Sequence, residues 1–371
     1  MHISKSENVD VLREIALLLV MTSHFWEMIS KSKTPKDPIL RSFFGMSGTA
    51  GVTLFFLISG FGIYISLSNM EKNGGISWKC FLRRRMIRIL PEYYIALAGS
   101  ALILIGVGRG DEISVGSIVT HLLLIHNLFP AYAMSISVPL WAMGVIVHFY
   151  LLAIPLYYGV KKSPFLTLLL SIVVSVGFQT LLIKAYPPEQ GPPLLLFWEK
   201  RQLLLSVVDH FVPGMAAAHI FLKNDEQKLS PRLAGLLFFA LLIAVLFVTR
   251  FGWKKMTYLK APLYPSAYAL LLAALLFVIL YIRVPEGFFL YRALRFLSKG
   301  EYATYLWHYS LGLAWTALFS DVLVKPAFLV RLLLYIIYVA SALLIGWVSL
   351  GIIGPVVNRW KEKCTGDGYE I

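Results

Sequence analysis

Charged residues are scarce in this sequence: Asp, Glu, Lys and Arg make up 15% of its 371 residues, whereas 58% are hydrophobic. A water-soluble globular domain carries about 25% charged residues, so a soluble fold of this length would lack the polar surface that it needs. Intrinsic disorder is excluded more firmly, because disordered chains are poor in the apolar residues that abound here. The composition predicts a protein that crosses a membrane several times.

Cysteine is nearly absent as well. Cys80 and Cys364 are the only two, and both lie beside basic segments. Two isolated cysteines form neither a disulfide framework nor a metal-ligand set. The N-terminus has no signal-peptide pattern, because its first apolar run continues through His24 and Trp26. We therefore expect no bound metal, no resident cofactor and a first segment that is retained as a membrane span.

Long apolar stretches recur along the chain, and each is long enough to cross a hydrocarbon core of roughly 30 Å as a helix. Helices are the only solution, because open strands leave backbone groups unpaired in lipid and the runs lack the period-two alternation of outer-membrane barrels. The sequence thus predicts an all-α polytopic bundle, one domain over 1–371, with about ten transmembrane helices. These lie near 11–29, 47–68, 87–108, 137–160, 163–186, 201–223, 233–251, 264–285, 301–320 and 327–355.

The apolar segment 113–132 does not read as a simple span, because it contains His121, His126, Asn127 and Pro130. We expect an interfacial or re-entrant piece there, with an eleventh span as the alternative.

The formal net charge of +14 has an explanation that needs no polyanionic partner. In a soluble protein it would indicate nucleic acid, but membrane proteins collect basic residues in cytosolic loops beside anionic lipid. We expect lipid contacts, no nucleic acid, and both termini on the cytosolic side of the membrane. The basic residues of segment 72–88 support this orientation: Lys72, Lys79, Arg83, Arg84, Arg85 and Arg88.

The first apolar segment carries a row of ionisable residues, which are costly in lipid and hence functional candidates. At 100° per residue, His24 lies about 20° around the helix from Arg13 and roughly 16 Å further along its axis. Asp10 shares that face. An imidazole can take up and return a proton near neutral pH, so His24 is a candidate general base. A structural histidine bonded to a neighbouring helix is the open alternative.

Arg85 and Arg88 are three residues apart and share one helix face at the start of the third span. Two guanidinium groups on one face can bind phosphate oxygens with planar, paired hydrogen bonds. The other interpretation, an anchor to lipid headgroups, also stays open.

Further polar residues lie within the apolar segments. Asp209 next to His210, just before Pro213-Gly214, suggests a broken helix that lines a cavity. Trp141 and Tyr150 fit packing or an aromatic belt better than a sugar-binding platform.

Five blocks of sequence, taken together and in order, resemble the acyltransferase-3 family of bacterial membrane O-acyltransferases. They cover nearly the whole chain. The blocks are Asp10–Arg13 with His24, Gly51–Phe61, Arg85–Arg88 with Pro91, Trp141 with Phe149-Tyr150, and Tyr302–His308.

The resemblance implies an enzyme that moves an acyl group, usually acetyl, from cytosolic acyl-CoA to a hydroxyl of an envelope glycan or lipid-linked sugar. It places His24 at the catalytic histidine position and Arg13, Arg85 and Arg88 at positions that handle the donor. Supporting or pore-lining positions are Asp10, Ser59, Trp141, His148, Tyr150, Asp209 and His308.

Two departures from the family pattern keep a second hypothesis open. Thr53 and Ile146 stand where the family usually has acids, so the role of an acid that orients or charges the histidine is either vacant or filled from elsewhere, with His148 and Asp209 as the nearest candidates in sequence. A glycan or lipid-linked sugar exporter with the same fold and no transfer chemistry is therefore the alternative. A scaffold subunit is a third, weaker possibility, because it would carry buried charge without use.

Overall fold

The computed structural model describes residues 4–29, 38–185, 203–223, 230–251, 262–282, 288–319 and 328–365. Within these ranges it contains helices and no β-strand. The helices are α1 (Ser4–Ile29), α2 (Pro38–Lys72), α3 (Trp78–Gly106), α4 (Val115–Leu122), α5 (Leu140–Lys162), α6 (Pro164–Ala185), α7 (Leu204–Lys223), α8 (Pro231–Phe251), α9 (Leu263–Tyr281), α10 (Phe289–Leu297), α11 (Glu301–Leu318) and α12 (Phe328–Thr365).

Ten of these described helices have at least 18 residues, and they coincide with the ten predicted stretches. Eight are long and apolar enough to cross a membrane. The other two, α1 and α11, are more polar, and they pack against each other and against several apolar helices. The prediction of an all-α polytopic membrane protein is confirmed.

The centre of the bundle is formed by α2 and α7. In their most apolar windows, 67% of α2 and 78% of α7 are buried, against 17% in α6 and α8 at the periphery. The α2 and α7 backbones approach closely through two glycines: a Cβ on Gly60 would overlap the carbonyl of Phe211, and one on Gly214 would overlap the carbonyl of Leu57. Small residues are what permits such contact between membrane helices.

The two ends of the bundle differ in chemistry. The basic end is the one at which α3 begins, with Trp78–Arg88; the opposite end is the one at which α3 ends, at Gly106. At the basic end, Asn8 donates to the carbonyls of Ile279 and Ile282 over 2.8 and 2.9 Å, so the last turn of α9 is tied to the first turns of α1.

Residues 107–139 connect α3 to α5 and fold back alongside α3; we call them the re-entrant segment, and they include the stretch 113–132 that the sequence predicts to be interfacial or re-entrant. Its helix α4 has eight residues and begins with a reciprocal capping box between Ser114 and Ser117. The Tyr93 hydroxyl, 13 residues before the end of α3, donates to the His121 carbonyl over 3.1 Å. Thirteen residues of helix correspond to roughly 20 Å, so α4 reaches well below the end of α3.

Two stacked histidines form the core of this segment. The rings of His121 and His126 are 3.9 Å apart and nearly parallel, and both residues are fully buried. Each ring bonds a backbone carbonyl, that of Ser117 over 2.7 Å and that of Leu140 over 3.0 Å. Burial lowers the pKa of His121 to about 4 and that of His126 to about 3, so both are neutral at pH 7.

The close α2–α7 contact predicts that Gly60→Ala and Gly214→Ala destabilise the protein, because a methyl group must displace a backbone carbonyl. Overpacking of this kind costs about 1–3 kcal/mol. Gly177→Ala in α6, where a Cβ meets open space, is the matched control. Thermal unfolding in detergent, followed by tryptophan fluorescence, should show a lower midpoint for Gly60→Ala and Gly214→Ala and an unchanged midpoint for Gly177→Ala. Equal midpoints in all three would contradict the contact.

The neutral histidine pair predicts that the protein loses stability as the pH falls below the ordinary histidine value of 6.5. The unfolded chain binds protons from that pH downward, whereas the folded pair resists them until about pH 4, so folding stability decreases across that interval. Each histidine contributes at most about 1.4 kcal/mol per pH unit. The double variant His121→Phe, His126→Phe should flatten the dependence of the unfolding midpoint between pH 7 and 5. An unchanged slope would refute this origin.

Candidate functional site

The candidate site is a cavity that starts at the basic end and runs into the bundle. Its empty volume is about 910 Å³, the open mouth included. Helices α1, α2, α3, α5 and α11 all contribute side chains to its wall. The polar lining residues are Arg13, Ser59, Arg85, Arg88, Tyr150, Glu301, Tyr302 and Tyr305.

Three arginines from two helices meet in this cavity. Arg85 and Arg88 come from one face of α3, and Arg13 comes from α1. Arg13 pairs with Asp10 over 3.2 Å, as their shared helix face predicts. In the described part of the chain neither Arg85 nor Arg88 forms an ion pair; the Arg85 guanidinium lies 5.9 Å from the centre of the Tyr150 ring. The cavity therefore holds excess positive charge that suits an anionic ligand.

Two acids lie next to these arginines. Glu301 lines the cavity, and Glu14 is completely buried and close enough to Glu301 for the two charges to repel. Both carboxylate oxygens of Glu14 and Oε2 of Glu301 are buried without a hydrogen-bond partner among the described residues. Buried acids without partners are costly, which is typical of positions kept for function.

The inner end of the cavity points toward His24 without reaching it. Val52 lines the cavity, and its neighbour Gly51 packs directly against Ala16 and Val20 of α1. Val52 thus lies near the level of Val20, which is four residues, or about 6 Å, before His24 on the same helix. His24 is not among the lining residues.

Aromatic contacts connect the cavity to His24. Tyr305 lines the cavity, and its ring centre is 5.6 Å from that of His308. The His308 ring is in turn 5.3 Å from the ring of His24. His308 is fully buried, and its Nδ1 donates to the Tyr305 carbonyl over 2.6 Å, which leaves Nε2 as the nitrogen with a lone pair. The structure therefore places His24 and His308 side by side, just beyond the inner end of the cavity.

His24 itself lies between α11 and the open end of α1. The edge of the Tyr309 ring packs at 5.1 Å, and the Glu27 carboxylate Oε2 lies 3.5 Å from Nδ1 of His24. The imidazole is 17% exposed and Glu27 is 68% exposed, on the side away from the arginines.

The expectation of a broken helix at Pro213-Gly214 is wrong. Helix α7 is continuous through both residues, because Gly214 allows close packing against α2 and the α7 core is almost entirely buried. Asp209 does not line the cavity described above. It is buried, bonds Nδ1 of His210 over 2.8 Å and accepts a short hydrogen bond from Ser266 of α9.

Trp141 and His148 also lie outside the lining of this cavity. Trp141 packs edge-on against Phe56, with ring centres 5.9 Å apart, which agrees with a packing role. His148 is half-buried on α5 and is close enough to His126 to influence it electrostatically.

Sequence reasoning missed how Glu14, Glu27, Tyr302 and Tyr305 are placed. Glu14 and Glu27 were visible as charges in a span, and the spacing His24-Phe25-Trp26-Glu27 puts a carboxylate on the histidine's own helix face. Tyr302 and Tyr305 belong to the block Tyr302–His308 that carries the family resemblance, but aromatic residues occur throughout the chain and nothing in the sequence placed these two at a cavity. In the described ranges no group of three or more His, Cys, Asp or Glu side chains is arranged to hold a metal ion.

The fold and this cavity define a polytopic helical membrane protein with an arginine-rich internal cavity and a nearby histidine pair. Residues 6–351 match the acyltransferase-3 family, described as an acyltransferase domain, and the chain belongs to this family.

One curated relative is the peptidoglycan O-acetyltransferase OatA of Listeria monocytogenes, which is 26% identical over 335 residues. The match covers 82% of this chain and 49% of OatA, so the chain spans about half the length of that relative. No solved structure matches the chain.

Proposed function

We propose that this protein is a membrane O-acetyltransferase that takes acetyl from acetyl-CoA and esterifies a hydroxyl of an envelope glycan or lipid-linked saccharide. The observation that carries the proposal is the cavity with three arginines at its mouth and wall, which leads toward His24 in a chain of an acyltransferase family. The name of OatA supports acetyl as the group and peptidoglycan as one acceptor to test.

The charges of the cavity suit the donor. The nucleotide part of CoA is rich in phosphate, and Arg85 and Arg88 supply planar donors for its oxygens near the mouth. The flexible pantetheine arm then extends along the cavity past Ser59 and Tyr305. Because the inner end of the cavity lies about 6 Å short of His24, the thioester arrives close to His24 and His308.

The chemistry follows from a base beside a thioester. His24 takes the proton of the acceptor hydroxyl while the oxygen attacks the thioester carbonyl carbon. The C–S bond breaks, the acetyl group is now an ester on the acceptor oxygen, and the sulfur of the departing CoA receives the proton that His24 holds. A route through an acetylated His24 is the alternative sequence of steps, and trapping of labelled acyl-protein distinguishes the two.

The same arrangement indicates which end of the bundle faces the cytosol. Acetyl-CoA is a cytosolic metabolite, so the basic end faces the cytosol, in agreement with the basic residues of segment 72–88. We place the protein in the bacterial inner membrane as one multi-pass domain with both termini cytosolic. Its partners are acetyl-CoA, the glycan acceptor and membrane lipids, with no resident cofactor and no metal.

A second candidate function, an exporter of a glycan or lipid-linked sugar, keeps one argument. Thr53 and Ile146 stand at positions where the family pattern has acids, and Ile146 lines the cavity. The broken helix that also favoured export is absent from α7. Transfer of labelled acetyl to a glycan by the purified protein would decide for the enzyme; transport without transfer would decide for the exporter.

We expect His24→Asn to reduce acetyl transfer by about 10²- to 10⁴-fold, because an amide cannot act as the general base. Acetyl-CoA binding and the unfolding midpoint should stay close to wild type, since His24 lies beyond the cavity lining. The measurement is transfer of radiolabelled acetyl from acetyl-CoA to glycan fragments by the protein in detergent. Full transfer by the variant would remove His24 from the reaction.

The donor site predicts that Arg85→Ala and Arg88→Ala each weaken acetyl-CoA binding at least about tenfold, because charge-assisted hydrogen bonds contribute about 1.5–3 kcal/mol. Arg85→Lys should restore binding only in part, since an ammonium group lacks the planar fork. Arg83→Ala is the matched control: it belongs to the same basic run, is exposed and does not line the cavity. Equilibrium binding with all four variants gives the answer; unchanged affinities would reduce the pair to a lipid anchor.

A further inference from the structure

We propose that Glu27 is the positioning residue for His24: its carboxylate holds the imidazole with Nδ1–H toward Glu27 and Nε2 free to take the acceptor proton. The inference rests on the proposed function and deepens it, because it fills the role of an acid that orients or charges the catalytic histidine.

The geometry of α1 carries the proposal. Glu27 lies three residues after His24, so both side chains project from one helix face. Oε2 of Glu27 is 3.5 Å from Nδ1 of His24, and that nitrogen is buried with no hydrogen-bond partner among the residues that the structure describes. Catalytic hydrogen bonds are often long without substrate and shorten in the reacting complex.

The groups that the sequence offered as partners of His24, Asp209 and His148, are engaged elsewhere. Asp209 is bonded to His210 and to Ser266 within the α7–α9 contact. His148 influences His126 in the re-entrant segment. His308 contacts His24, but its Nδ1–H is already donated to the Tyr305 carbonyl, and it brings no negative charge. Among the described residues, Glu27 is therefore the carboxylate that lies at Nδ1 of His24.

A carboxylate at this position does two things for the reaction. It selects the His24 tautomer that carries hydrogen on Nδ1, as the carboxylate of a hydrolase triad does. It also stabilises the imidazolium formed when His24 accepts the acceptor proton. Glu27 touches neither the thioester nor the acceptor oxygen in this scheme.

The exposure of Glu27 gives the acceptor a route to His24 from the side away from the arginines. The cavity approaches His24 from the basic end, whereas Glu27 is 68% exposed beyond it. Donor and acceptor thus approach the imidazole from opposite directions, which lets one histidine serve substrates from two sides of a membrane.

Other charged or titratable groups face this pair from the packed elements. Helix α11 provides His308 and Tyr309, and α12 provides Tyr335 and Tyr338 near Thr22 and Phe25 of α1. Arg109 and Glu112 of the re-entrant segment form an ion pair close to Tyr309. The phenols carry no charge below about pH 10, so below that pH Glu27 provides the negative charge nearest to His24.

The test compares Glu27→Gln, Glu27→Ala and Glu27→Asp with wild type in the acetyl-transfer assay. We expect Glu27→Ala to lower kcat about 10- to 100-fold with the KM for acetyl-CoA unchanged. This is less than the roughly 10⁴-fold loss on neutralising a buried triad carboxylate, because Glu27 is exposed. Glu27→Gln keeps a hydrogen-bond acceptor and removes the charge. As the pH is lowered, kcat of this variant should therefore begin to fall at a lower pH than kcat of wild type. Glu27→Asp should recover part of kcat.

Asp111→Asn is the matched control, since Asp111 is an exposed acid that lies in the re-entrant segment, outside the His24 contacts. It should leave both kcat and the pH profile unchanged. If Glu27→Gln and Glu27→Ala behave like Asp111→Asn, Glu27 is a solvated surface acid and the inference is overturned. If wild type transfers no acetyl at all, both the proposed function and this inference fail. If His24→Asn abolishes transfer while the Glu27 variants retain it, only this inference is overturned.

Discussion

The packing of α1 against α2 is the contact on which the site depends, because α1 carries both the arginine of the cavity and the histidine beyond it. Gly51 lets the α2 backbone lie directly against Ala16 and Val20, and Gly48 does the same beside Ser23. This contact fixes the height of α1 relative to the cavity wall. A shift of one helical turn, about 5.4 Å, would move His24 away from His308 or bring it into the cavity.

The cost of charge in a low-dielectric interior explains where the polar groups sit. Asp209 is satisfied by His210 and Ser266, and Glu92 of α3 by Trp307 and Ser349, so these acids tie helices together. The cavity arginines and the Glu14–Glu301 pair differ. Their charges are concentrated on one side of His24 and are incompletely matched within the protein, which is the condition under which a charged substrate can contribute binding energy.

Much of the fold was readable from the sequence, because length and apolarity alone specify a membrane helix. The ten long stretches followed from that constraint, the prediction that 113–132 is not a simple span followed from its polar residues, and the shared face of Asp10, Arg13 and His24 followed from helical periodicity. The meeting of Arg13 with Arg85 and Arg88 needed the family resemblance or the structure, since contacts between helices leave no periodic signal. The inferred break in α7 was wrong because the sequence does not show that Gly214 contacts α2.

The central claim is that donor and acceptor reach His24 from opposite sides of the membrane. Its most direct test is transfer by the Cys364→Ser protein in sealed proteoliposomes, where the remaining Cys80 reports orientation through an impermeant thiol reagent. Acetyl-CoA is supplied on one side and glycan fragments on the other. The account predicts acetylated glycan only when acetyl-CoA is on the side where Cys80 reacts. Transfer with acetyl-CoA confined to the other side would contradict it.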